Sequence, residues 1–241
     1  MRKFVRSLFP FLFLYLISCA TIPVTDYNTA EFEKGINLGL DLSKGRDYAS
    51  QIDFQGYFNS QDSIYKYSTT YLLTLTGRYN LNQRLSFKYR TAVFPSFSGF
   101  QAMGLEYVLN PKGKFSEGVA ITLATTESSG SSVSVWDGHS DTTRYSFKTK
   151  SVLTSVYLSY PIFTKTQFML IPTTGIKFIY CSLMAADSIR YNFSEFGLFA
   201  NLRFKIYLLN IVPEICIMSL QSPDKNRHFG IFPGIFVGLG K

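Results

Sequence analysis

Beyond residue 50, apolar and polar residues alternate with a period of two, and this pattern limits the folds open to the chain. In 195–206, one face carries Phe196, Leu198, Ala200, Leu202, Phe204 and Ile206, and the other carries Glu195, Gly197, Asn201, Arg203 and Lys205. Successive side chains of a β-strand point to opposite faces, so the pattern predicts strands and not helices. No apolar run after residue 20 approaches the ~18 residues that a membrane-spanning helix needs. We therefore predict an all-β protein whose strands have one apolar face.

Turn residues such as Asn82 and Pro111 divide the chain into about ten principal strands. We place these strands at 50–58, 69–79, 84–94, 100–109, 117–126, 145–160, 167–180, 190–206, 211–220 and 229–239. The segment 36–43 alternates as well, but an eleventh spanning strand would break the parity of the connections described next. We therefore interpret 36–43 as an edge or tether element outside the main set.

The connections between these strands alternate between short and mostly longer ones. The short set is 80–83, 110–116, 161–166 and 208–210, and the longer set is 59–67, 95–99, 127–144, 181–189 and 221–228. Short turns at one end and long loops at the other resemble the layout of small bacterial outer-membrane barrels. The resemblance implies an antiparallel up-and-down transmembrane β-barrel of about 8–12 strands, with 36–241 as a single domain.

Two further patterns bear on which face of the sheet is outside. Four tyrosines on the apolar face come just before short turns, as an interfacial aromatic girdle would: Tyr79, Tyr107, Tyr160 and Tyr207. Most strand charges lie on the polar face, as expected where an outward charge would contact lipid. We predict apolar side chains outside, although a soluble lipocalin-like barrel with an apolar interior would also segregate its charges.

The amino terminus has the features of a lipoprotein signal. Basic residues precede a short apolar stretch, and Leu16-Ile17-Ser18-Cys19 follows. These four residues resemble the bacterial lipobox, which implies a signal peptide over 1–18 and acylation of Cys19. Ala20 follows Cys19, and by resemblance to the sorting rule this favours the outer membrane. We interpret 19–35 as the acylated cysteine and a polar tether, handled by lipoprotein-processing and barrel-assembly machinery.

The charged residues on the polar face are the main candidates for function. They are Asp53, Arg78, Lys88, Arg90, Glu106, Lys177, Glu195, Arg203, Lys205 and Glu214. In a barrel of about ten strands, opposite charges would pair across a narrow interior and fill it. The alternative interpretation is a narrow selective pore lined by the same groups.

The segment 127–144 holds the remaining candidates. Its Trp136, Asp137 and His139 suggest contact with a sugar, a lipid headgroup or another protein. The run His139-Ser140-Asp141 superficially suggests a lipid-modifying hydrolase, but members of a catalytic triad must converge in space, and consecutive residues point in different directions. Cys181 and Cys216 could form a disulfide, but we favour two free buried thiols. We find no cofactor motif, and no Cys/His cluster with metal-ligand spacing.

Composition excludes two other classes of protein. An aromatic content of 17% rules out intrinsic disorder. The formal charge of +8 falls by three when Arg2, Lys3 and Arg6 are removed, and the rest is too scattered for nucleic-acid binding.

We therefore predict a non-enzymatic outer-membrane β-barrel lipoprotein of a Gram-negative-type bacterium, anchored at Cys19. It would act either as a narrow channel or as a structural or surface-contact protein. The alternatives are a lipocalin-like periplasmic lipoprotein that carries an apolar ligand and a lipid-modifying barrel enzyme.

Overall fold

The structure is a computed structural model that describes residues 21–28, 34–47, 68–93, 99–111, 113–136, 139–165, 167–185, 189–221 and 227–240. Its twelve strands are β1 Thr21–Pro23, β2 Gly35–Asp47, β3 Ser68–Asn80, β4 Leu85–Ala92, β5 Gln101–Val108, β6 Ser116–Trp136, β7 His139–Ser159, β8 Phe163–Lys165, β9 Phe168–Ala185, β10 Ile189–Ile206, β11 Leu209–Gln221 and β12 Arg227–Gly240. Among these residues, no helix has the length and hydrophobicity that crossing a bilayer requires.

Ten of the strands form one closed antiparallel barrel. The order around the wall is β2, β3, β4, β5, β6, β7, β9, β10, β11 and β12, and β12 pairs again with β2. β8 forms a small hairpin with β9, and β1 pairs with β2. The prediction of an antiparallel, up-and-down barrel of about ten strands is confirmed.

The first barrel strand differs from the predicted one. Residues 36–43, interpreted above as an edge or tether element, belong to β2, which pairs with β3 along its whole length. The interpretation was wrong because the ten-strand count included 50–58, a segment that lies outside the described residues together with Asp53. With β2 in the wall, the barrel has its ten strands. The start of β2 and the end of β12 still lie at the same end of the barrel.

The barrel is joined along a seam between β2 and β12. The two strands pair from Asn37↔Gly240 to Ser43↔Gly234. Further along β2, the same edge is taken over by β1, which pairs Thr21–Pro23 with Gly45–Asp47. β1 therefore joins the barrel wall at the end of this seam that lies near Asp47.

Short connections lie at one end of the barrel, which we call the short-turn end. Residues 81–84 connect β3 to β4, and the side-chain oxygen of Asn82 accepts hydrogen bonds from the backbone N–H of Arg84 (2.7 Å) and Leu85 (2.9 Å). Tyr207 and Leu208 connect β10 to β11, with Tyr207 at a φ of 54°. We call the opposite end, where 48–67 leaves β2, the long-loop end.

The segment 127–144, predicted as the longest loop, lies largely within strands. β6 and β7 pair continuously from Ser116↔Ser159 to Trp136↔His139. The loop prediction was wrong because the Ser- and Gly-rich composition hid a two-stranded ribbon. Asp137 and Gly138 separate the two strands in sequence, and an Asp-Gly pair is a strong short-range signal for a hairpin.

Large apolar side chains cover the outside of the barrel. Leu38 is 58% exposed, and Val156 and Leu198 are each 62% exposed. Soluble monomers rarely expose apolar patches larger than a few hundred Å², whereas a transmembrane barrel has an outward apolar band. The lipocalin-like arrangement, with the apolar face inside, is therefore wrong for this chain.

The interior, or lumen, is filled by side chains in two layers. Towards the long-loop end, most of the buried apolar residues form one cluster that includes Phe193, Phe199, Met218 and Phe232. Cys181 and Cys216 are buried in this cluster and form no disulfide. Towards the short-turn end the inward side chains are mainly polar and charged, and these form the candidate site.

Candidate functional site

The central feature of the lumen is its occupation by the chain's own residues 22–28, which we call the lumen segment. Every residue of this segment is buried. Ile22 and Val24 pack into the apolar cluster, and Thr25 to Asn28 lie in the polar layer below it. The sequence interpretation placed these residues in a polar tether, but the structure places them inside the barrel, where their apolar side chains have packing partners.

Barrel side chains donate hydrogen bonds to the backbone carbonyls of the lumen segment. Lys177 Nζ donates to Val24 (2.8 Å), Arg90 Nη1 to Thr25 (2.7 Å), Lys88 Nζ to Asp26 (2.5 Å) and Asn201 Nδ2 to Asn28 (2.8 Å). A buried carbonyl without a partner is costly, so these four donors make burial of the backbone possible. The bonds are made to the main chain and so hold the segment in place through its backbone.

The carboxylate of Glu214 also binds the segment, but it accepts hydrogen bonds where the groups described above donate them. Its two oxygens accept hydrogen bonds from the backbone N–H of Asp26 (3.0 Å) and Tyr27 (2.8 Å). Tyr27 has a φ of 52°, a left-handed conformation, and consecutive N–H groups at such a point can converge on one anion. Lys177 Nζ lies 2.9 Å from Glu214 Oε1 and balances its charge.

The side chains of the lumen segment add their own contacts. The carboxylate of Asp26 lies 3.2 Å from Lys88 Nζ and accepts a hydrogen bond from Thr122 Oγ1 at 3.1 Å. Asn28 Nδ2 donates to Ser155 Oγ at 2.7 Å. The ring of Tyr27 lies 6.1 Å, between centroids, from that of Phe236, which rests against the glycine backbone of β2 and β12. Both the backbone and the side chains of the segment are therefore bound.

Arg90 links the lumen segment to β2. Its guanidinium donates two hydrogen bonds to Asp41, at 2.8 and 3.1 Å, in addition to the bond to Thr25. Asp41 also accepts from Ser43 (3.0 Å), Thr76 (2.7 Å) and Thr74. An arginine bound by both oxygens of a carboxylate is geometrically well defined, so Arg90 is held in place to bind the segment.

Two further ion pairs lie near the two ends of the segment. Towards the short-turn end, Arg78 pairs with Glu106, which also accepts a hydrogen bond from the hydroxyl of Tyr157 at 2.5 Å. Towards the long-loop end, Arg46 pairs with Glu195. Buried charges need partners of this kind, and each such pair also occupies space in the lumen.

The lumen contains nearly all the charges that the sequence predicted for it. The side chains of Arg78, Lys88, Arg90, Glu106, Lys177, Glu195, Arg203, Lys205 and Glu214 lie on the inner face, and Asp53 lies outside the described residues. Sequence reasoning missed Asp26 and Asp41 because 19–35 and 36–43 were assigned outside the main set of wall strands, and it missed Arg46 because no strand was predicted between residues 43 and 50. The position of Asp41 on the polar face of an alternating segment was the signal that could have found it.

The structure also positions the other candidate residues. Tyr79, Tyr107, Tyr160 and Tyr207 are exposed on the outside of the barrel near the short-turn end. Trp136 and His139 are register partners at the tip of β6 and β7. Asp137 and Cys19 lie outside the described residues.

The tip lies beyond the barrel wall. β6 pairs with β5 as far as Thr125, and β7 pairs with β9 from Phe147 onwards. In the described part of the chain, residues 128–136 and 139–146 pair with each other and with no third strand. At about 3.3 Å per residue, this ribbon is roughly 30 Å long.

A small cavity lies beside the lumen segment. It has a volume of about 30 Å³, lies next to Asp26 and Tyr27 and is bordered by Arg78, Lys88 and Arg203. Such a volume is large enough for water and too small for a larger solute. Among the described residues, no group of three or more His, Cys, Asp or Glu side chains is placed to hold a metal ion. The arrangement is suited to binding an extended peptide segment.

Comparisons with known proteins give similar architectures at low identity. No protein-family model and no curated protein matches the sequence. CdiB from Acinetobacter baumannii matches 78% of this chain at 14% identity, with a TM-score of 0.38, and this chain covers 32% of CdiB. The outer membrane protease OmpT from Escherichia coli matches 89% of this chain and 98% of its own, at 10% identity and a TM-score of 0.37.

Ail, the attachment invasion locus protein of Yersinia pestis, matches 86% of this chain and 95% of its own, at 13% identity and a TM-score of 0.32. At such low sequence identities, these structural similarities do not assign a function to this chain. The closed barrel, its apolar exterior and the charged layer of its lumen are the features of a small bacterial outer-membrane β-barrel.

Proposed function

We propose that this protein is a non-conducting, non-enzymatic outer-membrane lipoprotein that presents the β6–β7 ribbon as a surface-contact element. The observation that carries the proposal is the occupation of the lumen by residues 22–28. Of the two functions that the sequence left open, a narrow channel or a structural and surface-contact protein, this observation favours the second.

The contacts of the lumen segment come from many sides of the barrel. The donors and acceptors described above belong to β4, β6, β7, β9, β10 and β11. A solute would have to separate several buried charges from their partners, and breaking one such pair costs about 3–5 kcal/mol. These costs support the proposal of a closed lumen.

The ribbon formed by 128–136 and 139–146 supports the surface-contact role. It extends from the long-loop end, which faces the cell exterior in outer-membrane barrels. Trp136 and His139 stand at its tip, as the residues of a contact surface would. His139 and Asp141 would share one strand face with Ser140 on the other, so this run does not resemble a catalytic triad.

The lipobox-like sequence supports a lipid anchor. Leu16-Ile17-Ser18-Cys19 follows an apolar stretch, and acylation of Cys19 would tie the amino terminus of the mature chain to the membrane. Two acyl chains give stable anchoring, whereas a single chain binds membranes only marginally.

Conductance and adhesion measurements test this proposal. We expect the purified protein to produce no stable current steps in planar bilayers. We also expect cells that produce a variant with 128–146 replaced by a short Asp-Gly turn to lose self-aggregation or attachment to glycan-coated surfaces. Regular current steps from the intact chain, or full adhesion by the ribbon variant at equal surface amounts, would contradict the proposal.

A further inference from the structure

We infer that the lumen segment runs through the barrel from the cell-surface side towards the periplasm, so that the residues before Thr21 lie at the cell surface. The acyl chains on Cys19 would then enter the outer leaflet of the membrane. The leaflet assignment rests on the proposed lipoprotein function, whereas the position of the chain upstream of Thr21 does not.

The register of β1 gives the direction of the segment. Thr21 pairs with Asp47 and Pro23 with Gly45, at the end of β2 from which the long segment 48–67 departs. The other end of β2, at Gly35, pairs with Asn80 beside the short turn 81–84. The segment therefore begins at the long-loop end.

The contacts of the segment show that it then descends. Ile22 and Val24 lie in the apolar cluster of the upper lumen, and Asn28 lies in the polar layer against Ser155 and Asn201. The first barrel strand, β2, begins at Gly35 at the short-turn end and runs to Asp47 at the long-loop end. Residues 22–28 therefore run through the lumen in the direction opposite to β2.

The orientation of the barrel in the membrane determines on which side of the membrane the segment begins. In outer-membrane barrels, the short turns face the periplasm and the long loops face the exterior. The exposed Tyr79, Tyr107, Tyr160 and Tyr207 near the short-turn end fit a lipid interface at that level. Thr21, at the opposite end, is therefore on the extracellular side.

The position of Thr21 limits which leaflet the upstream chain can reach. Outward apolar residues on β2 end at Leu42, and Asp47, the partner of Thr21, lies roughly 16 Å further along the strand. At this level β2 pairs with β1 and no longer with β12. Cys19 is two residues from Thr21 and can reach about 7 Å. The inner leaflet lies ~30 Å away across the bilayer, so only the outer leaflet is in reach.

A surface-labelling experiment tests the topology. The sequence Gly-Ser-Cys-Gly-Ser is inserted between Ala20 and Thr21, and intact cells are treated with a polyethylene glycol maleimide too large to pass general porins. Glu127→Cys, on β6 at the long-loop end, is the accessible control, and Gln83→Cys, in the short turn 81–84, is the periplasmic control; both native side chains are exposed. Cys181 and Cys216 are buried, and an acylated Cys19 is a thioether that does not react.

We expect the inserted cysteine and Glu127→Cys to be labelled on intact cells, and Gln83→Cys to be labelled only after permeabilisation. An inserted cysteine that behaves like Gln83→Cys would overturn the inference. An inserted cysteine that stays unlabelled in both conditions would overturn it as well, because a hydrophilic insertion at the cell surface must be accessible.

The lipid anchor is tested separately on the parent chain. Palmitate incorporation that is lost in Cys19→Ser supports acylation. Maleimide labelling of the parent chain on intact cells would show an unmodified Cys19 at the surface. That result would refute the lipid anchor while leaving the topology intact, so the two failures are distinguishable.

Discussion

Glu214→Ala is the substitution that most directly tests how the lumen segment is held. Glu214 accepts hydrogen bonds from the N–H groups of Asp26 and Tyr27 and pairs with Lys177. Alanine removes these three contacts, together with the hydrogen bonds that Glu214 accepts from Asn201 Nδ2 (3.2 Å) and Cys216 Sγ (3.2 Å). It leaves Lys177 as a buried cation without this carboxylate. Its Nζ keeps the carbonyl of Val24, 2.8 Å away, as an acceptor.

The contacts set the size of the expected effect. Removing one partner of a buried ion pair costs about 3–5 kcal/mol, and this figure includes part of the penalty for the two N–H groups. Because such terms do not add, we expect a loss of about 4 kcal/mol in the free energy of unfolding. Local opening of the segment should become easier by a similar amount, and about 4 kcal/mol corresponds to roughly a thousandfold faster amide exchange at Asp26 and Tyr27.

Two assays in detergent micelles measure these changes. Urea unfolding, followed by the boiling-dependent gel shift of folded barrels, gives the stability. Hydrogen exchange with mass spectrometry gives the opening of residues 22–28. Glu117→Ala is the matched control, because Glu117 is an exposed glutamate at the start of β6. Exchange at the wild-type rate in Glu214→Ala, with stability within about 1 kcal/mol of the control, would refute the role given to Glu214.

Three further predictions follow from other contacts. Arg90→Lys should destabilise the barrel by about 2–4 kcal/mol in the same urea assay, because lysine cannot bind both oxygens of Asp41 while bonding Thr25; an unchanged midpoint would contradict this. Deleting 21–28 should produce current steps in planar bilayers that favour anions, since the lumen charges of the described residues then comprise seven cations and four anions; silence or cation preference would count against a plug. Leu198→Arg should cost ~2–4 kcal/mol and Leu198→Ala much less, because this side chain faces lipid; equal costs would place it elsewhere.

Alternation along the chain was sufficient to predict the barrel and the direction of most side chains. It assigned Lys88, Lys177 and Glu214 to the inner face, where the structure places them. The reason is local, since a strand residue's face depends on its immediate neighbours and the period is two.

Other features depend on contacts between distant parts of the chain, which the alternation of apolar and polar residues does not reveal. The bond between Asp26 and Glu214 joins residues 188 positions apart, and no periodicity in 20–28 indicates it. The choice between 36–43 and 50–58 as the first wall strand likewise depends on pairing with β12 and β3. The ribbon at 127–144 was missed because strand propensity is weak in Ser and Gly, whereas cross-strand pairing stabilises it.

The position of residues 22–28 inside a closed wall constrains the order of assembly. The segment's partners extend from β4 to β11, and the seam that encloses it joins β2 to β12, which lies nearly 200 residues further along the chain. Entry into an already closed barrel would require the free end of the segment to pass between the charged side chains of the polar layer, so we expect the segment to be inside before β12 pairs with β2. Closure and the burial of the amino-terminal residues are then a single cooperative step, and a barrel that closes too early could be corrected only by reopening its seam.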